Sequence, residues 1–358
     1  MIALNSPVQP DLKKLLPYLE QINKNGWYTN FGPIHEEFRD KLEAYLGVQN
    51  LLLVNNGTSA LQVAGKTLNT QSIITTPFSF VATSSAFLWQ GNNLAFADID
   101  RDSYNLSPEA LSAAFDNGCT ADTIVATHVY GNPCDVVSFE NIAKTKNKKV
   151  IYDAAHAFGI KIKNNSVLNY GDASILSFHA TKVFHTVEGG AIVFKQAEDY
   201  EKAKELINFG IKAGKGIQSI GTNAKLNEYQ AAVGLVNLEN IDNILEHRAQ
   251  LFDEYCKGLK GLVEIPLWHP EANMNGAYMP ILLKDATERE YISQKLLENK
   301  IQSRHYFSPS LDSVFSAQDN FGTSNSQHIS KRVLCLPLHN KLSLIDIQKT
   351  ITTLNKAI

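Results

Sequence analysis

Cysteine is scarce in this chain of 358 residues: Cys119, Cys134, Cys256 and Cys335 are the whole complement, and no two of them form a CxxC pair. That excludes a disulfide framework and the common zinc and dithiol motifs, and leaves the thiols as buried or incidental groups. A dominant charge is missing too. Lys+Arg 33 against Asp+Glu 36 gives a formal net charge of −3 with no long run of one sign, so no polyanion-binding face and no nucleic-acid partner are expected. Apolar stretches such as Leu51-Leu52-Leu53-Val54 fall far short of the ~20 residues of a membrane span. The opening Met1-Ile2-Ala3-Leu4-Asn5 has no basic n-region, and the expectation is a cytoplasmic protein with no membrane partner. Neither GxGxxG nor GxxxxGK[ST] occurs, which removes the two commonest nucleotide fingerprints. No metal site is expected.

What is present is enough apolar content for a large core, 44% hydrophobic against 19% charged residues, and this excludes disorder as the main state. Short apolar runs at 51–54, 73–75, 94–97, 123–127, 150–153, 175–178 and 191–194 look like buried strands. Helical patterns at 59–68, 80–89, 108–115 and 136–146 lie between them. This alternation predicts βαβ crossovers and therefore an α/β fold: a mainly parallel seven-stranded sheet flanked by helices. After about residue 245 the pattern changes. An amphipathic segment at 240–259 leads to strand-like pieces at 277–283 and 332–337 around a helical 288–300. The expected division is a large domain over 1–240 and a smaller C-terminal α+β domain over 241–358. The Ser-, Asn-, Asp- and Gly-rich stretch 308–327 is expected as a loop.

In open α/β sheets ligands sit at the carboxyl ends of the strands, so the polar residues at those exits are the candidates for chemistry. Asn55-Asn56-Gly57-Thr58-Ser59 joins a strand to a helix, where free N–H groups and the helix dipole favour a phosphate; an ordinary capped turn is the plain alternative. Tyr152-Asp153-Ala154-Ala155-His156 ends a buried strand in a carboxylate. Such a carboxylate needs a cationic or donor partner, or serves as an N-cap. His156 alone suits a structural histidine as well as a base. Lys182 stands in an otherwise uncharged stretch between Ser177 and Val187; there a lysine either has a lowered pKa and a reactive amine or snorkels to the surface. The three sites together are less ambiguous. A phosphate-binding helix start, an Asp, and a Lys 29 residues after it are the parts that pyridoxal phosphate requires: the Lys for the imine, the Asp for the ring nitrogen, the helix end for the phosphate.

At this point the chain resembles the DegT/DnrJ/EryC1/StrS sugar aminotransferases, which are fold-type I pyridoxal phosphate enzymes. The resemblance runs through Trp27-Tyr28-Thr29-Asn30-Phe31-Gly32-Pro33, Asn56-Gly57-Thr58-Ser59-Ala60-Leu61, Thr76-Pro77-Phe78-Ser79-Phe80-Val81-Ala82-Thr83, Asp98-Ile99-Asp100, Tyr152-Asp153-Ala154-Ala155-His156-Ala157-Phe158-Gly159, Ser177-Phe178-His179-Ala180-Thr181-Lys182, and Asn223-Ala224-Lys225-Leu226-Asn227-Glu228-Tyr229-Gln230-Ala231-Ala232. It implies Lys182 as the Schiff-base lysine and Asp153 as the ring-nitrogen partner. Gly57, Thr58, Ser59 and Ser177 would hold the phosphate, and Phe80 would stack on the ring. His156 would stand beside the phenolic oxygen, where many members have Gln. Asn223 would reach the phosphate from a second copy, so a homodimer with shared sites is implied. Trp27, Thr29, Asn30, His185, Glu188, Lys225, His305 and Tyr306 match positions near the sugar and nucleotide. Two departures stand out: Lys225 replaces a common Arg and lacks its planar fork, and His185 replaces a common Asn, facing either the sugar or the interior.

The resemblance implies transamination from L-glutamate to a nucleotide-linked keto-sugar. Its subfamily flavour points to the 4-amination of dTDP-4-keto-6-deoxyglucose to viosamine for bacterial O-antigen. The alternatives are a 3-aminotransferase of the same family, a sugar 3-dehydratase, and a non-catalytic sensor built on the same scaffold. Lys182 argues against the dehydratase, which has His in its place, and Lys182 with Asp153 against the sensor.

Overall fold

In a computed structural model, which describes residues 1–316 and 318–358, each of the seven apolar runs becomes a strand of one sheet. They are β1 (Leu51–Val54), β2 (Ser72–Thr75), β3 (Asn93–Phe96), β4 (Thr123–Thr127) and β5 (Lys149–Asp153), then, beyond a small hairpin of β6 (Lys161–Ile162) and β7 (Asn165–Ser166), β8 (Ala173–Ser177) and β9 (Gly190–Phe194). Their order across the sheet is β1-β9-β8-β5-β4-β2-β3. Pairing is parallel from β8 through β3 and antiparallel where β9 lies between β8 and β1. Every residue of β1 and of β4 is buried, as a sheet covered on both faces requires. Successive side chains go to opposite faces: Leu51 and Leu53 join one apolar core, Leu52 the other.

The chain continues through a hairpin of β10 (Ile211–Lys212) and β11 (Gly216–Ile217) to a second layer built on β12 (Met279–Leu282) and, after β13 (Asp319–Asn320), β14 (Val333–Leu336). β12 and β14 pair antiparallel. The helices Ile241–Gly258 and Leu344–Ala357 pack on them around Leu251, Tyr255, Ile281, Leu334, Ile351 and Leu354. The helix Ile241–Gly258 serves both cores, with Ile241 and Ile244 in that of the large sheet and Leu251 onward in the second. Among the described residues, no helix is long and apolar enough to cross a membrane.

Two features depart from expectation. The large sheet has an eighth strand, because β13 pairs parallel with β3 at its edge. β13 belongs to the stretch 308–327 expected as a loop, which instead carries the helix Leu311–Val314, β13 itself and the start of the helix Ser324–Ser330; residue 317 of that stretch lies outside the described residues. The order comes from polar hubs rather than apolar periodicity. Asp312 accepts from Ser310 Oγ, Thr323 Oγ1 (2.7 Å) and Gln327 Nε2 (2.6 Å). Asp98 accepts the N–H groups of Asn325 and Ser326, each at 2.8 Å, and so caps the second helix from the strand side.

Candidate active site

The carboxyl ends of β1, β4, β5 and β8 open onto one cavity of about 720 Å³. β5 ends at Asp153, whose register partner on β4 is Thr127. β8 ends at Ser177, and the turn that follows carries Lys182. β1 runs into Asn55 and then the helix Gly57–Thr67, whose first residues form another wall. Of the residues singled out from sequence, Gly57, Thr58, Ser59, Phe80, Asp153, His156, Ser177, Lys182, Glu188 and Tyr306 all line this space.

Asp153 is buried. Burial raises its pKa, opposed by a hydrogen bond from Thr83, by the Ala155 N–H and by the Lys182 charge. Thr83 Oγ1 donates to Asp153 Oδ2 at 2.7 Å, and the Ala155 N–H to Oδ1 at 3.1 Å. Lys182 is half-buried, and desolvation takes its amine down to about 8 against the pull of Asp153. The two groups are therefore each other's charge partner in a poorly solvated space. His156 is buried and held well below its usual pKa, by desolvation first and then by the Lys182 charge. Its ring stacks on Phe307 with centroids 5.8 Å apart, and its Nδ1 has no hydrogen-bond partner among the described residues.

At the helix start Asn56 Oδ1 accepts the Ser59 N–H at 2.8 Å. Among the described residues the N–H groups of Gly57 and Thr58 have no hydrogen-bond acceptor, and both residues line the cavity at the positive end of the helix dipole. Glycine is required here by proximity: a Cβ on Gly57 would lie 2.9 Å from Ser177 Cβ. This close approach sets Ser177 beside the helix start, and Thr58, Ser59 and Ser177 line the same cavity.

Pyridoxal phosphate, implied by the resemblance, fits this donor set. Its phosphate would meet free N–H groups at a helix start, its ring nitrogen a buried carboxylate, and its carbonyl an enclosed amine. His156 Nδ1 and Asn55 Oδ1 on the cavity wall, without a partner among the described residues, would supply further polar contacts. Among the described residues, no cluster of three or more His, Cys, Asp or Glu is placed to hold a metal ion.

Other expected residues lie elsewhere. His185 is turned into the interior: Nε2 bonds the Val8 carbonyl at 2.8 Å and Nδ1 accepts the Val187 N–H at 3.1 Å. With both ring nitrogens engaged it ties the N-terminal segment down and has nothing to offer a sugar, which corrects the expectation of a substrate contact. Lys225 is buried away from the cavity, its Nζ 2.9 Å from Asn208 Oδ1 and over the Phe209 ring. Trp27, Thr29, Asn30 and Asn223 are exposed on the outside of their own chain. His305 borders an adjoining cavity of about 570 Å³ that shares Phe80, Arg304 and Tyr306 with the first. The sequence argument missed Thr83, Ser79, Thr127, Tyr278, Arg304 and Phe307. Thr83 lay within a quoted motif, but its bond to Asp153 spans 70 residues and has no local signal.

Set against known proteins, residues 11–355 match the DegT/DnrJ/EryC1/StrS aminotransferase family. A dTDP-4-amino-4,6-dideoxy-D-glucose transaminase from Shigella dysenteriae is 40% identical over 99% of this chain and 98% of its own length. One of the same name from Escherichia coli is 38% identical over 96% and 95%. Among solved structures, that of DesI in the presence of its TDP-sugar product superimposes with a TM-score of 0.92 at 28% identity, covering 99% of this chain and 92% of the other.

Proposed function

The chain belongs to the DegT/DnrJ/EryC1/StrS aminotransferase family, and we propose that it moves the amino group of L-glutamate onto C4 of dTDP-4-keto-6-deoxy-D-glucose, producing the 4-amino-4,6-dideoxy sugar. The observation that carries the reading is the meeting of the Lys182 amine and the buried Asp153 carboxylate in one cavity whose wall is an open helix start. The choice of sugar is supported by the two transaminases that match over nearly their whole lengths.

When bound, pyridoxal phosphate supplies a carbonyl that takes up an amino group and an electron-poor ring that stabilises the charge left when a neighbouring C–H proton departs. The residues do the rest. Gly57 and Thr58 N–H groups with the Thr58, Ser59 and Ser177 hydroxyls would hold the phosphate. Asp153 as the anion would keep the ring nitrogen protonated. Phe80 would pack on the ring, and His156 would stand beside the phenolic oxygen. Lys182 would be anchor and base: with the cofactor bound, its Nζ would carry the proton lost from the α-carbon of glutamate to the cofactor and, in the second half, return a proton from the cofactor to C4 of the sugar. An amine that titrates near 8 rather than near 10.5 suits both directions of transfer. Glu188 and Tyr306 line the sugar side, and His305 in the adjoining cavity is assigned to the nucleotide.

The unit is a homodimer. Asn223, Trp27, Thr29 and Asn30 lie off their own cavity, and we assign them to the site of the second copy. The exposed Phe209, Ile211, Ile217 and Ile220 beside Asn223 support this, because monomers rarely leave such a patch uncovered. The division into a cofactor domain over 1–240 and a smaller domain over 241–358 is part of the same proposal, as is a cytoplasmic role in O-antigen assembly, where activated amino sugars are consumed. The deciding experiment incubates the purified protein with glutamate and either the 4-keto or the 3-keto dTDP-sugar and locates the new amine by NMR. Amine at C4 is expected; product from the 3-keto isomer alone refutes the assignment.

A further inference from the structure

Asp153 is the end of a line of buried hydroxyls. Thr127 Oγ1 lies 3.0 Å from Ser79 Oγ, Ser79 Oγ lies 2.8 Å from Thr83 Oγ1, and Thr83 Oγ1 lies 2.7 Å from Asp153 Oδ2. The direction of the line follows from counting protons. A carboxylate only accepts, so Thr83 commits its single proton to Asp153 and must accept from Ser79; Ser79, its proton committed in turn, accepts from Thr127. Every O–H dipole therefore points toward the carboxylate. All four residues are buried, and they come from four places: the end of β4, the loop after β2, the first turn of the helix Ala82–Leu88, and the end of β5. Phe80 sits in the chain between Ser79 and Thr83.

We propose that Thr127, Ser79 and Thr83 form a one-way hydroxyl relay that keeps Asp153 charged and ties the segment carrying Phe80 to it, so that the contacts to the cofactor's ring nitrogen and ring face are set as one unit. None of the three reaches the reacting atoms in this scheme; they are positioning residues. The inference rests on the reading of Asp153 as the ring-nitrogen partner. Its physical content is that burial favours the neutral acid, while aligned donors restore the anion. Of the groups that oppose burial here, the Thr83 hydroxyl is the one that can be deleted without touching the backbone or Lys182.

The test uses the cofactor-free protein. Infrared titration of the carboxyl, assigned by its loss in Asp153→Asn, gives a midpoint for the wild type. Thr83→Val is expected to raise that midpoint by about one pH unit, the loss of one donor to a buried carboxylate. Thr83→Ser restores it, and Ser79→Ala moves it in the same direction by less. Fluorescence titration with pyridoxal phosphate, at a pH midway between the two midpoints, shows an affinity about threefold lower for Thr83→Val. A purely structural threonine would change melting temperature without moving the midpoint. Unchanged midpoints in Thr83→Val and Ser79→Ala overturn the relay, and if Thr83→Val does not fold, Ser79→Ala decides by the same criterion. Asp153→Asn that binds pyridoxal phosphate as tightly as the wild type sinks the reading of the site instead, whatever the carboxyl titration shows.

Discussion

A lysine amine enclosed beside one carboxylate loses its proton earlier than a solvated one, because desolvation penalises the cation more than a single anion restores it. For Lys182 the midpoint is about 8. The rate at which the cofactor-free protein forms an imine with added pyridoxal should therefore climb with pH and level off above that point, followed by absorbance; a climb that continues to the ordinary lysine range would show the amine to be solvated. Asp153→Asn keeps the shape and removes the charge. Removing one group that stabilises charge developing in the transition state costs about 3 kcal/mol, so kcat should fall by roughly 100-fold or more while pyridoxal phosphate is still bound, loosely, in an absorbance titration. Both residues were legible in the sequence, because a lone Lys in an uncharged stretch and an Asp at the end of an apolar run contradict their surroundings. His185 shows the opposite case. Its type and spacing suit a ligand contact, and only the fold reveals that Val8 and Val187 take both ring nitrogens.

Elements differ in how they announce themselves. The strands β1 to β5, β8 and β9 of the large sheet are continuous apolar runs bounded by polar exits, and their ends were readable to within a residue or two. The stretch 308–327 has no such pattern, since its order comes from Asp312 and Asp98 accepting hydroxyl, amide and backbone donors across the chain. Polar hubs of that kind look like loop composition until the partners are known. Burial alone would raise the Asp312 pKa, but hydrogen bonds from Ser310, Gln327 and Thr323 outweigh it and leave the carboxyl below its usual value. A depressed folded value means stabilisation that is complete above the ordinary carboxylate range and lost as pH falls through the folded value. Asp312→Ala leaves the donors of Ser310, Asn320, Thr323 and Gln327 without this acceptor, at about 1–3 kcal/mol. Amide exchange over 311–330 should then accelerate by on the order of 10- to 100-fold, with the interior strands β4 and β5 unaffected. Exchange that speeds up uniformly across the protein would assign Asp312 to global stability rather than to this element.

At the scale of the whole molecule, the sequence motifs divide into two sets. The residues from Gly57 to Lys182 converge inside one chain, whereas Asn223 and the loop with Trp27, Thr29 and Asn30 face outward. Periodicity and spacing alone could not separate these sets, because they report on local structure and not on which copy completes which site; only the family resemblance put Asn223 in a second copy. If Asn223 serves the second copy, defects on opposite sides of the interface are complementary. Lys182→Ala removes the base from a chain's own cavity, and Asn223→Asp places a carboxylate against the phosphate of its neighbour's. Each variant alone should be inactive or nearly so. When the two are unfolded together, mixed in equal amounts and refolded, a hybrid dimer carries both defects in one site and neither in the other. Random pairing under two-fold symmetry then returns about a quarter of the wild-type sites, measured as glutamate-dependent turnover. If each site drew only on its own chain, every site would keep one defect and the mixture would stay as inactive as its components. Full activity of Asn223→Asp by itself would likewise remove Asn223 from the site, and with it the argument that one chain cannot work alone.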